Sequence, residues 1–188
     1  MKYFSLVILF LLFSCGNKED IFLPKSNVTI VSNVVDHSPI YIFFRTKGKD
    51  TLAEVNRKNS IITTNWILNI DKRLPLRLVI PEVMKLQEKK RNEVAHKNEL
   101  AQNYYSYADT IGKNMAFLPF TKVYYVMEKP KKPMMIVVVS FDKNNEITVN
   151  NVFVKKEGLQ NYLENLPNGK SNKFLFCFRS EERRVGKE

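Results

Sequence analysis

Histidine, glycine and cysteine are scarce in this chain, and each scarcity closes off a chemistry. There are two histidines, His37 and His96. Glu93 and His96 stand three apart with Glu99 close by, the spacing of half a metal site on a helix. Such a site takes its other half from a second Glu–His copy, and none is present. The six glycines are not clustered, so no loop of the kind that cradles phosphate is encoded. No apolar run approaches the roughly 20 residues of a spanning helix. Aromatic and basic residues do not interleave as single-stranded nucleic acid requires. The formal charge of +11 therefore points to anionic headgroups or acidic glycans, and no nucleic-acid partner is expected. What is present is ordinary for a globular chain: 44% apolar residues and a single tryptophan, Trp66.

The start of the chain is more specific. Lys2 precedes an unbroken apolar run, Leu6 to Phe13, which has the length of a signal-peptide core. Leu12-Phe13-Ser14-Cys15 resembles the lipobox of bacterial lipoproteins, although Phe13 stands where a small residue is usual. The resemblance implies that residues 1–14 are removed and that Cys15 receives a diacylglycerol and an acylated amine. With each buried CH₂ contributing about 0.8 kcal/mol, several chains hold a protein at a bilayer almost permanently. No Asp follows Cys15 directly, and Lys18-Glu19-Asp20 resembles the short charged signal that sends some Gram-negative lipoproteins to the surface. The expected address is the outer membrane, on its periplasmic face or at the cell surface. With Cys15 lipidated, only Cys177 remains. It lies inside Phe174-Leu175-Phe176-Cys177-Phe178, where a thiol behaves as a small hydrophobe, so no disulfide or metal framework is on offer.

Along the mature chain, residues 15–27 read as a tether and 28–127 as an α+β region. Strands are expected at Val28–Val31, Ile40–Phe44, Leu52–Val55 and Asn59–Asn69, where β-branched and aromatic residues concentrate. Pro81 suits a helix start. Val83, Leu86, Lys90, Val94, Lys97, Ala101, Tyr104, Ala108 and Ile111 follow at helical spacing, so a long helix is expected over 82–111, its polar centre projecting into solvent or breaking in two. Leu118–Met127 reads as a strand interrupted by Pro119. The charged, proline-punctuated stretch 128–134 is a linker.

Residues 135–178 then read as a ββαβ unit, with strands at 135–141, 146–154 and 173–178 and a helix at 156–166. This order, with Ile136-Val137-Val138-Val139-Ser140-Phe141-Asp142-Lys143-Asn144-Asn145-Glu146-Ile147, resembles the periplasmic domain of ExbD/TolR-type transport proteins. The resemblance implies an interaction domain able to pair with an envelope protein or a second copy of itself. The proton-driven work of that family depends on an Asp-bearing transmembrane helix, which this sequence lacks. Residues 179–188 resemble the in-frame translation of a sequencing adapter, so the ββαβ unit is expected to be truncated.

Other motifs read as structure. Asp36-His37-Ser38 places three triad residue types side by side, but neighbours on an extended chain alternate faces, and a turn before Pro39 explains them. Tyr104, Tyr105, Tyr107, Tyr124 and Tyr125 fit core or boundary positions. Asp50-Thr51-Leu52 and Asp109-Thr110-Ile111 resemble the O-glycosylation triplet of some exported proteins, making Thr51 and Thr110 candidate acceptors. The sequence therefore predicts an α+β protein with mixed sheets and one long central helix. It carries no cofactor, metal or catalytic set and acts as a lipid-anchored binding or assembly module. The alternatives are an envelope hydrolase with its catalytic groups beyond Phe178 and an accessory subunit of an ExbD/TolR-like complex.

Overall fold

The computed structural model describes residues 19–58, 60–95, 97–127, 136–142, 144–167 and 173–178. The fold is mixed α+β with two sheets, and the chain divides into two compact units between Val123 and Tyr124. The expected leader 1–14, Cys15, Lys18, the expected linker 128–134 and residues 179–188 lie outside the described residues.

The first unit contains β1 (Lys25–Ser26), β2 (His37–Lys47), β3 (Asp50–Asn56), β4 (Asn65–Ile70), helix α1 (Leu76–Asn92), β5 (Asn103–Asp109) and β6 (Asn114–Pro119). Strands β2, β4 and β5 are parallel neighbours, with β3 and β6 antiparallel on the flanks. Trp66, Ile67 and Leu68 are all buried, as suits a central parallel strand covered on both faces. A tight turn at Gly48 (φ +62°) joins β2 to β3, a backbone conformation glycine adopts without penalty. Helix α1 makes the crossover that parallel strands need. It buries Val79, Val83 and Leu86.

The expected helix over 82–111 is corrected at both ends. It begins six residues earlier, after Pro75 in extended conformation (φ −69°, ψ 143°), and Pro81 lies inside it. It ends at Asn92, and Asn103–Asp109 is a strand. Tyr105 and Tyr107 fit strand alternation as well as Tyr104 and Ala108 fit helical spacing. Pairing with Trp66–Leu68 selects the strand. Of the polar centre, Gln87 and Lys90 are buried, whereas Glu88, Lys89, Arg91 and Asn92 are exposed.

The expected first strand at Val28–Val31 is also displaced. Residues 25–26 form β1, pairing with Ala108 and Asp109, while Val31 contributes an isolated bridge to Phe117. β4 pairs with residues 103–105 of β5, so β1 takes the length of that edge which β4 leaves free. Much of the segment expected as a tether is therefore bonded to the sheet. The strand expected at 118–127 is instead Asn114–Pro119, where it pairs along β5 from Asp109 back to Tyr104.

The second unit holds β7 (Ile136–Phe141), β8 (Ile147–Val149), β9 (Val152–Val154), α2 (Leu159–Glu164) and β10 (Lys173–Phe178). Its sheet order is β10-β7-β8-β9, with β10 parallel to β7. The strand expected over 146–154 is broken by Asn150 and Asn151 (φ 49° and 70°) into a two-residue hairpin, the turn that positive-φ residues favour. The observed order is thus βββαβ. Val137, Val139, Ile147, Val149 and Val154 form its core, against Leu159, Tyr162, Leu163 and Leu166.

Candidate functional site

Two polar clusters flank the parallel strands of the first unit, one at each end. The carboxyl end is the place where open α/β sheets usually take ligands. Here the chain itself crosses it. Arg45 of β2 donates through Nη2 to Glu19 and through Nε to Glu54, both at 2.6 Å. Phe22 lies beyond the end of β4, where its carbonyl accepts the Lys72 N–H at 2.8 Å. Pro24 and Ser26 then accept the N–H groups of Ala108 and Thr110 at the end of β5, each at 2.8 Å. Residues 19–26 thus form a strap over the ends of β2, β4 and β5 in turn.

Beneath the strap sits Asp71, 1% exposed. Arg73 grips it side-on, with Nε donating to Oδ1 at 2.9 Å and Nη2 to Oδ2 at 2.7 Å. The backbone N–H of Arg73 adds a third bond at 3.0 Å. These donors favour the carboxylate and pull Asp71 down to about 2 against the opposing effect of burial. The Arg73 guanidinium lies 4.6 Å from the ring centres of both Phe22 and Phe44, so it is stacked from two sides. Asp109, at the end of β5, accepts from the Thr29 hydroxyl and from the N–H groups of Ile111 (2.8 Å) and Gly112 (3.0 Å). Its pKa is lowered by the Thr29 bond first, then by the two N–H groups.

At the amino end, Lys90 of α1 reaches between β4 and β5. Its Nζ donates to the carbonyls of Thr64 (2.9 Å) and Gln102 (3.2 Å) and to Asn103 Oδ1 (3.1 Å). Burial pushes this amine down to about 8. A lowered amine in a cleft is a candidate nucleophile. This one is 9% exposed with its three donors directed at three oxygens, so it fastens the helix to the strands. Nearby, Gln87 Nε2 donates to the carbonyls of Phe120 and Val123.

The sequence motifs are placed as follows. Ser38 is buried and its hydroxyl shares a 2.7 Å bond with Thr64 Oγ1, while His37 Nδ1 meets the Val34 carbonyl at 2.7 Å. The two side chains have separate partners, and Asp36 adopts φ 46° in the turn before them. Glu93 caps the end of α1 in extended conformation, past the last helical turn. Glu99 pairs with Lys97 at 2.8 Å, and His96 lies outside the described residues. No group of three metal-ligating side chains occurs among the described residues. The Thr110 hydroxyl donates to the Ser26 carbonyl at 3.1 Å, and Thr51 lies on β3 opposite Thr46. Tyr105 stacks on Phe120 with ring centres 3.8 Å apart, and Tyr107 Oη donates to Val28 O at 2.8 Å. Of the charged triplet, Glu19 is held by Arg45 and Asp20 is exposed.

Asp71, Arg73 and Lys90 carry no motif; the first two were passed over in the sequence, and Lys90 was read only as part of a helical stripe. The only signal was an Asp placed directly after the apolar end of a strand, at Ile70-Asp71. No described helix is long and apolar enough to cross a membrane. No protein-family profile, curated protein or solved structure shows a significant match to the chain.

Proposed function

We propose that this is a lipid-anchored protein of a bacterial outer membrane that serves as a binding or assembly module. The observation that carries the reading is Leu12-Phe13-Ser14-Cys15 at the end of a short apolar run. The first unit supports the non-enzymatic part. Its buried charged groups among the described residues, Asp71, Lys90 and Asp109, each have partners within the fold, which leaves them serving the scaffold. The second unit supports the binding part. Phe174, Phe176 and Phe178 recur at every second position of β10 and are 38%, 52% and 61% exposed. Exposed apolar stripes of that kind commonly serve association.

The ExbD/TolR-like reading draws on the same unit, whose strand β10 returns parallel to β7 after α2. In that reading the protein is an accessory subunit of an envelope complex.

The test of the anchor is Cys15→Ser followed by cell fractionation and intact-mass analysis. The wild-type protein is expected in the membrane pellet with added acyl mass, and the variant in the soluble fraction without it. A variant that still pellets as before, or a wild-type protein without added mass, overturns the reading.

A further inference from the structure

If Cys15 carries lipid, the strap dictates which side of the first unit meets the bilayer. Cys15 stands seven positions before Phe22 and four before Glu19. An extended chain covers at most about 3.6 Å per residue. The free leash from the lipidated sulfur to Phe22 is then at most about 25 Å, and about 14 Å while the Glu19–Arg45 pair is closed. A folded body of about 100 residues has a radius of gyration near 13 Å and is wider than that leash. The carboxyl end of the sheet is therefore held close to the membrane.

The charges at that end suit such a neighbour. Lys47 and Lys49 flank the β2–β3 turn, Lys72 follows β4, Lys25 is in β1, and Lys113 lies in the β5–β6 turn. All five are exposed. None makes an ion pair with a described carboxylate. Of the acids at the same end, Asp71 is buried on Arg73 and Asp109 is buried on Thr29 and two backbone donors, while Glu19 and Glu54 share Arg45 at the surface. Only Asp20 and Asp50 remain there without a partner of this kind among the described residues. Two apolar side chains stand among the lysines, Phe22 at 50% and Ile111 at 73% exposure.

We propose that the carboxyl end of the first sheet is a membrane-docking surface, its lysines resting on the phosphate headgroups of the bilayer that holds Cys15, with Phe22 and Ile111 entering the interface. This deepens the lipid-anchor reading and rests on it for the choice of membrane. A polybasic surface beside an acyl anchor is a recognised way to strengthen and orient membrane attachment.

The surface can be read without the anchor. Unacylated Cys15→Ser protein is sedimented with vesicles rich in phosphatidylglycerol and with vesicles of phosphatidylcholine alone, its fold checked by Trp66 emission. Binding is expected to the anionic vesicles and to fall with salt. Charge reversal by Lys47→Glu, Lys49→Glu and Lys72→Glu together is expected to weaken it at least about tenfold. The same reversal at Lys58, Lys89 and Lys122, exposed at the other end of the strands, is expected to change it less than about twofold. Equal effects of the two triple variants, or no preference for anionic vesicles, overturn the proposal.

In the acylated protein, on a Cys177→Ser background, a fluorophore at Ile111→Cys should be quenched by headgroup-labelled lipid more than one at Val94→Cys. Equal quenching also overturns the proposal. Loss of acylation shows only in the fractionation and mass of the Cys15 experiment, so the two failures are distinct.

Discussion

The ammonium of Lys90 lies 4.9 Å from the centre of the Trp66 ring while bonded to three oxygens at the amino ends of β4 and β5. Trp66 is the only tryptophan and is 1% exposed. Its emission is expected to shift with a midpoint near pH 8, where burial places the Lys90 titration. Lys90→Met should remove that step and cost about 1–3 kcal/mol, because three buried oxygens lose their donor. The fold releases this proton at about 8 and the unfolded chain at about 10.5. Between those values the unfolded state binds more protons, so this residue's contribution makes stability rise with pH. Urea titrations of both proteins across that window should show the slope in the wild type alone.

Asp71 gives a dependence of the same sign at the acid end. Its carboxyl is held at about 2 in the fold, below the ordinary 3.8. The stability it supplies is complete above pH 4 and is lost as pH falls toward 2, where the folded state must also take up the proton. Asp71→Asn should flatten that acid limb and lower stability at neutral pH. Unfolding midpoints at pH 3 and pH 7 distinguish this from a general loss of structure, which would lower both equally.

A chain beginning at Val28 tests the strap. Were residues 19–27 a free tether, their removal would leave the first unit unchanged. The structure has Ala108 and Thr110 bonded to Pro24 and Ser26, and Arg73 stacked on Phe22. Truncation is therefore expected to lower the melting temperature, with about 1–3 kcal/mol lost from unpaired backbone donors. Faster hydrogen exchange should be confined to the end of β5 and to residues 71–73.

In the second unit, Asn150 and Asn151 behave differently despite sharing a turn. Asn150 Oδ1 accepts the Val138 N–H at 2.9 Å. Asn151 (φ 70°) has no such bond to a described residue. Asn151→Gly should be neutral or stabilising by up to about 1 kcal/mol, since glycine meets no penalty at positive φ. Asn150→Gly should destabilise by about 1 kcal/mol through the lost bond. Thermal melts of the two variants decide the ranking.

Sequence alone was informative where the cause is local. The β2–β3 hairpin followed from Gly48 between runs of β-branched and aromatic residues. The helix before Pro167 and the strands at 136–141 and 173–178 were legible for the same reason. The candidate site was not legible. Lys90 looked solvated because a lysine stripe on a helix usually is, and its three acceptors come from Thr64, Gln102 and Asn103, none of them near it on the helix. Arg73 likewise draws its stacking partners from Phe22 and Phe44.

By itself the sequence determined turns, local propensities and the short apolar run before Cys15, because each depends on residues a few positions apart. Tertiary structure decided where α1 stops and which end of the sheet the N-terminal strap closes. Tyr104 to Ile111 carries helical and strand periodicity together, and local energies differ too little to choose between them. The choice was made by hydrogen bonds to Trp66–Leu68 and to Lys25–Ser26, partners that come into reach only when the chain folds.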